Sequence, residues 1–405
     1  MFERARKTPE KISTKNRPDS SQLDEYEQTA AKTIEKQLKR RSSLAIKLGA
    51  ATLAVSALSV AYWSDVIENR AERAEAEISI NVISDALDKS DDHTATVLVG
   101  GFNMQDADFM AKTIGPGIQE FADGELWSLS YNNAILSRTA IYKTILELAE
   151  ERDIEKLNFF GYSTGGIIST EATADIVKNS DTPIEVSASA STPDGIEGLR
   201  QNQKQGIEFI QAIASIPGAI DSSYIRLACE MYFFKANYTK EGSENIGGNI
   251  ERFFETLLAG IDRLDDPKQT SMQLLIDQAY KVSFYDMKKE LQTISDQRNE
   301  KELPILVGFG TDKPGFDFMV DDKLSLKNFG NYSEEANIEF HSFLVPGAIH
   351  AEYYKTVDAY NQTFSEASLP IAKDLATEKA RRAFIIITEK EEDQKNDQPN
   401  AEAQK

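Results

Sequence analysis

The sequence predicts an α/β domain: a mostly parallel sheet with helices on both faces, interrupted by an inserted helical cap and preceded by a single transmembrane helix. Three observations carry this. From Thr94 onward, short apolar runs alternate with helix-like segments, the pattern of parallel strands joined by crossover helices. Between Thr192 and Lys301 the alternation stops, and apolar residues recur at helical spacing instead. Upstream, residues 44–63 form a run of 20 residues whose only charge is Lys47.

That run, LAIKLGAATLAVSALSVAYW, would be about 30 Å long as a helix, close to the thickness of a bilayer's hydrocarbon core. Lys47 sits one turn from the basic Lys39-Arg40-Arg41 end and can snorkel, while Tyr62 and Trp63 suit the opposite interface. Residues 1–47 hold 12 Lys and Arg against 7 Asp and Glu, a net +5 in a chain of net charge −21. By the positive-inside rule, residues 1–43 form a basic cytoplasmic arm and the rest lies outside the cytoplasm. The bland reading is a buried helix of a soluble protein. A cleaved signal peptide ending at Ser59-Val60-Ala61 competes, but an arm of over 40 residues is long for that role and favours an uncleaved anchor. Residues 64–90, charged and Ala-rich, then read as a helical stalk.

The domain is expected over 91–388. Strands are expected at 94–100, 125–131, 156–163 and 184–191, with helices at about 106–121, 138–151 and 164–178 between them. The helical cap is expected over about 193–301, built on IEFIQAIASI, RLACEMYFF, IERFFETLLAGI and SMQLLIDQAY. Strands resume at 304–310 and 338–345, and helices fill most of 350–383. Residues 389–405 have almost no apolar content and read as a disordered acidic tail.

Composition narrows the chemistry. A chain of 405 residues with 40% hydrophobic residues affords a sizeable core but lacks the repeated long apolar runs of a multi-span transporter. The acidic balance disfavours nucleic acid as a partner, because phosphate binding depends on Lys and Arg. Cys229 has no partner for a disulfide, and with only His93, His341 and His350 a structural zinc site is not expected. No metal and no cofactor are expected, so any catalysis runs on ordinary side chains.

Gly161-Tyr162-Ser163-Thr164-Gly165 matches G-x-S-x-G. The small residues let a serine occupy a sharp strand-to-helix turn, where a side chain at Gly161 or Gly165 would strike neighbouring backbone. The pattern alone is weak; the apolar strand LNFF before it and the helix IISTEATADIV after it strengthen it. An exposed serine in an ordinary turn is the alternative. A serine nucleophile needs a base, and His350, in the loop after the last strand, is the best placed histidine. His341 reads as a strand residue, and His93 precedes the first strand. The base needs an orienting carboxylate. Asp312, close to the end of strand 304–310, and Asp317, in a D-x-x-V spacing with Val320, both qualify, with Asp194 a distant third. Each also reads as a turn or cap residue. Gly100-Gly101-Phe102-Asn103 follows the first strand, where the N–H of Phe102, paired with that of Thr164, is expected to face a developing oxyanion, although a plain strand-to-helix turn explains the glycines alone as well.

With these residues the chain resembles the α/β-hydrolases over about residues 94–380, in the order Ser163, then Asp312 or Asp317, then His350. It departs in having Gly100-Gly101 where members commonly have His-Gly. The resemblance implies an eight-stranded, mostly parallel sheet, often with an initial antiparallel pair, and acyl transfer to water through an acyl-enzyme. The expectation is a membrane-anchored serine hydrolase of carboxylic esters or thioesters. Met231, Tyr232, Phe233, Phe234, Phe253 and Phe254 offer a roof for a small-molecule or lipid-like acyl substrate, although such residues also simply pack cap helices together. Peptidase, amidase or acyltransferase chemistry would use the same triad. Two readings from other classes stand beside it: an inactive hydrolase fold used as a surface binding module, and a basic arm that binds anionic head groups.

Overall fold

Thr94–Val99, Glu125–Ser130, Lys156–Tyr162, Ile184–Ala190, Ile305–Thr311 and Phe340–Val345 are all strands, most of them buried along nearly their whole length, as expected where a sheet is covered on both faces. In a computed structural model, the described residues are 32, 36, 56–71, 74–87, 93–233, 252–259, 261, 270–313, 317–350 and 352–396. The chain divides into two compact units, 1–64 and 65–405.

In chain order the elements of the larger unit are β1 (Ser79–Ser84), β2 (Thr94–Val99), α1 (Asp108–Ile118), β3 (Glu125–Ser130), α2 (Arg138–Glu151), β4 (Lys156–Tyr162), α3 (Thr164–Asn179) and β5 (Ile184–Ala190). There follow α4 (Gln201–Ala214), α5 (Ser223–Phe233), α6 (Met272–Phe284), α7 (Met287–Ser295), β6 (Ile305–Thr311), α8 (Asp322–Glu335), β7 (Phe340–Val345) and α9 (Val357–Asn396). The sheet has seven strands in the order β1-β3-β2-β4-β5-β6-β7, with β1 antiparallel to β3 and every other pair parallel. Among the described residues that is one strand fewer than the eight the resemblance implies.

Alternate residues of each strand feed opposite cores. Val97, Val99, Trp127, Leu157 and Phe159 face one core with residues of α2, α3, α7 and α8. Leu98, Leu126, Phe160, Val307 and Phe309 face the other with α1 and α9, where Phe121, Phe160, Phe309 and Phe364 make mutual ring contacts. The chain steps from β2 to β3 on one side, then returns past β2 to β4. The reversal opens a crevice beyond the carboxyl ends of β2 and β4, where ligands of open α/β sheets bind.

Several expectations are corrected. The stalk expected over 64–90 is helical only in its first part, since residues 79–84 form β1. SINVIS is rich in β-branched residues and pairs with the open edge of β3, which lets Ile80 pack against one core and Ile83 against the other. The cap expected to reach 301 is smaller. Ile207, Ile210, Cys229, Met272 and Leu275 form its own cluster, whereas Leu274 and Val282 of α6 and Met287, Leu291 and Ile294 of α7 join the core under the sheet. Helix α6 is therefore two-faced, and α7 is the crossover into β6. Helix α8, absent from the sequence reading, is the connection that two parallel neighbours require. The tail expected to be disordered from 389 is helical as far as Asn396; its Glu, Lys and Gln content favours helix. Residues 397–405 lie outside the described residues, as do Phe234 and most of the basic arm.

The run expected to span a membrane also lies largely outside them: residues 56–71 are helical, and 44–55 are not described. Among the described residues, no helix is long and apolar enough to cross a membrane. Residues 65–70 are tied to the cap. Asp65 accepts from the Ser222 hydroxyl and the Ser223 N–H, both at 2.9 Å, and Arg70 pairs with buried Asp221 at 3.0 Å.

If α7 belongs to the main core, Leu291→Ala, at a fully buried position, lowers unfolding stability by about 2–5 kcal/mol. Phe284→Ala, at a site 77% exposed, shifts it by no more than about 0.5 kcal/mol. Chemical denaturation of both variants measures the contrast.

Candidate active site

Ser163 ends β4 and opens α3 with φ 55° and ψ −126°, a conformation non-glycine residues rarely adopt. The turn is held by Ser163 N–H donating to the Ala190 carbonyl of β5 at 2.8 Å and Gly166 N–H donating to the Ser163 carbonyl at 2.9 Å. Helix α3 turns back so tightly that a Cβ at Gly161 would overlap the backbone of Gly165 and Gly166, and one at Gly165 the carbonyl of Val99. The turn thrusts the serine hydroxyl into the crevice, and it makes Thr164 N–H the first of a helix, with no acceptor within the helix itself.

His350, 4% exposed, follows β7 and presents Nε2 to the Ser163 hydroxyl at 2.9 Å. Its Nδ1 lies 2.7 Å from Asp317 Oδ2, and Asp317 is 1% exposed. Such a buried carboxylate needs further donors. The N–H groups of Met319 and Val320 both donate to Oδ1 at 2.8 Å. The D-x-x-V spacing thus forms a turn closed on its own carboxylate. Arg200 holds that turn from the cap side: Nε donates to the Asp317 carbonyl at 2.6 Å, and the Arg200 N–H donates to the Met319 carbonyl at 3.0 Å. Tyr162 packs edge-on to the His350 ring, at 5.7 Å between centroids.

The other candidates lie elsewhere. Asp312 is exposed and accepts from the Gly347 N–H at 2.9 Å, tying together the loops after β6 and β7. Asp194 accepts from Asn328 and Ser325 of α8. His93 is exposed beside the Asp153 carbonyl. His341 pairs with Asp374 at 2.6 Å; with Glu339 these three bring one ligand atom each within 4.8 Å of one another, the one such group among the described residues and not at Ser163.

The loop after β2 lies against the serine, for a Cβ at Gly101 would stand 3.0 Å from Ser163 Cβ. The Gly100 carbonyl accepts from the buried Tyr131 hydroxyl at 3.0 Å. Phe102 packs partly against the cap cluster. Of the aromatics expected to roof the site, Tyr232 stacks on Phe209 within the cap, and Phe253 and Phe254 are exposed and contact each other. On the open side, half-exposed Phe318 approaches the His350 ring at 6.3 Å.

Sequence reasoning missed Arg200 and Asp322. Asp322, the first residue of α8, is buried and accepts from the Thr311 N–H at 2.9 Å. Burial, then the nearby Asp317 charge, push its carboxyl up to about 7. Its position just after the acid's turn, at a helix start, resembles an ordinary cap, so the sequence carried no signal for it.

No family model matches the chain, and no curated relative does. Solved structures do. A carboxylesterase of Nitrososphaera gargenis is 10% identical over 73% of this chain and 96% of that one, with a TM-score of 0.43. An α/β hydrolase from a Medee basin deep-sea metagenome library is 16% identical over 74% and 95%, at 0.41. The 2-hydroxy-6-oxo-6-phenylhexa-2,4-dienoate hydrolase of a Rhodococcus strain is 13% identical over 71% and 98%, at 0.40. At these scores they are distant likenesses. The strand order, the antiparallel edge strand and the sharp turn at Ser163 themselves give this chain an α/β-hydrolase fold.

Asp322 is neutral in the fold at pH values where its unfolded carboxyl is ionised. Its contribution to stability is complete below about pH 4 and is lost as pH rises through about 7. Asp322→Asn is therefore expected to raise Tm at pH 8 and to leave it nearly unchanged at pH 4, as read by thermal melts across that range.

Proposed function

We propose that the chain is a serine hydrolase that cleaves a carboxylic ester or thioester through an acyl-enzyme on Ser163. The observation that carries this is the continuous chain of hydrogen bonds from Ser163 Oγ through both nitrogens of His350 to Asp317. In the working tautomer, His350 Nδ1–H donates to Asp317 and Nε2 accepts the serine proton. Oγ attacks the acyl carbon while its proton passes to Nε2, and the oxyanion receives the N–H groups of Phe102 and Thr164. The latter gains from the positive end of α3. The tetrahedral intermediate expels the alcohol or thiol, which takes the proton from His350. Water then attacks the acyl-enzyme with His350 as base, releasing the acid and restoring Ser163.

Half-exposed Phe318 beside His350, together with Phe102 against the cap, supports an apolar acyl group as the substrate's recognised part. The basic arm and the run 44–63 support a single-pass anchor with the hydrolase unit outside the cytoplasm.

Full-length chain in mild detergent should be labelled by a fluorophosphonate probe, and Ser163→Ala and His350→Ala should abolish labelling. Ester turnover should fall on the order of 10⁴- to 10⁶-fold in Ser163→Ala. It should fall on the order of 10⁴-fold in Asp317→Asn, and should be unchanged in Asp312→Asn. A folded wild-type chain that never labels overturns the proposal and favours a binding module. For the anchor, the full-length chain should stay with carbonate-washed membranes and should be released by deleting residues 1–63. Release of the intact chain refutes it.

A further inference from the structure

Residues 101–104 close a turn in which the Met104 N–H donates to the Gly101 carbonyl at 3.2 Å and Asn103 takes a left-handed conformation, φ 63°. The N–H of the second residue in such a turn, here Phe102, is not used by the turn's own bond. The Gly101 carbonyl and the Phe102 N–H belong to one planar peptide unit and point in opposite directions. Whatever holds the carbonyl therefore aims the N–H.

A single side chain from outside the loop does so. Gln278 on α6 is fully buried; its Nε2 donates to the Gly101 carbonyl at 3.3 Å and to the Met104 carbonyl at 3.4 Å. Its Oε1 accepts from the Asn103 N–H at 2.8 Å. One amide thus grips the turn on both sides of Phe102. The Asn103 side chain is held as well: its Oδ1 accepts from Arg226 Nη2 at 2.8 Å and from the Thr270 hydroxyl, and Arg226 is paired in the interior with Glu230 at 2.6 Å. Turning the Gly101–Phe102 peptide over would break the Gly101 bonds together and leave buried polar groups without partners.

We propose that Gln278 is a positioning residue for the oxyanion hole, aiming the Phe102 N–H at the reacting carbonyl through the Gly101 carbonyl it binds. This rests on the serine hydrolase reading above. Gln278 touches no substrate; it acts from the cap-side helix, so the cap completes the donor pair.

The test compares full-length wild type with Gln278→Met, which keeps length but removes both hydrogen-bonding functions, and Gln278→Glu, which keeps the acceptor. Each is assayed on a p-nitrophenyl ester. Each is also assayed with a trifluoromethyl ketone, to whose carbon Ser163 Oγ adds as its proton passes to His350, leaving an oxyanion in the hole. Active sites are counted by fluorophosphonate titration. Gln278→Met should lower kcat about 10- to 100-fold with KM nearly unchanged, less than or comparable to losing an oxyanion donor outright. The ketone's inhibition constant should rise by the same factor as kcat/KM falls, with the number of titratable sites unchanged. Gln278→Glu should regain activity relative to wild type as pH falls from 8 to 6, because a protonated carboxyl restores a donor to the Gly101 carbonyl. If Gln278→Met does not fold, this pH-dependent recovery decides the matter.

Unchanged kcat/KM in the folded variants, or lost activity with an unmoved inhibition constant, overturns the proposal. A wild-type chain that neither labels nor turns over overturns the serine hydrolase reading itself, and the role of Gln278 with it. That failure shows in the control before any variant is compared.

Discussion

The backbone at Ser163 is the constraint on which the rest depends. A non-glycine residue in that region costs roughly 1–3 kcal/mol and persists only where the surroundings leave no alternative. Here β5 accepts its N–H, α3 closes over its carbonyl and leaves no room for a side chain at Gly161, and β2 lies so close that Gly165 admits none either. The central strands therefore do more than form a core. Their register sets the height of the turn, and their order places the loop after β2 beside it. The local strain is supported by the most deeply buried part of the sheet.

A second ordering follows from charge. Three buried groups, Asp317, His350 and Asp322, crowd the ends of β6 and β7 in a chain of net charge −21. Buried carboxylates are tolerated when donors surround them, and Asp317 has two backbone N–H groups and an imidazole. Asp322 accepts from the Thr311 N–H, and burial together with the nearby Asp317 charge pushes its carboxyl up to about 7, so it holds a proton more readily than an ordinary carboxylate. Arg200 adds positive charge at the carbonyl of the acid's turn without pairing with its carboxylate. The carboxylate that faces His350 can thus remain the accepting partner while a second acid sits nearby.

The strands from Thr94 to Ala190, the turn at Ser163 and the loop after β2 were legible because each carries a local signal: an apolar run, a glycine pair, or a periodicity. Which aspartate meets His350 was not legible. Asp312 is nearer the strand end, but it is consumed by the Gly347 N–H, and only the turn of 317–320 reaches inward. Strand β1 was hidden because six residues among charged neighbours look like linker until β3 offers them an edge. The limits of the cap were blurred because α6 is apolar on two faces, and periodicity records that a face is buried without saying against what. Gln278 lay beyond sequence reasoning altogether, since its partners are backbone atoms more than 170 positions away.

The short helical segment at 65–70 bears on where this chain can be cut. Asp65 serves as a cap for α5, and Arg70 supplies the cation beside Asp221, which is buried at the far end of the same corner. A fragment that starts downstream of Arg70 would keep every strand and every reacting group. It would also take the Arg70 guanidinium away from a buried carboxylate, and the resulting change would sit in the cap, close to α5. A shortened chain is better begun before Asp65, where the compact unit itself begins.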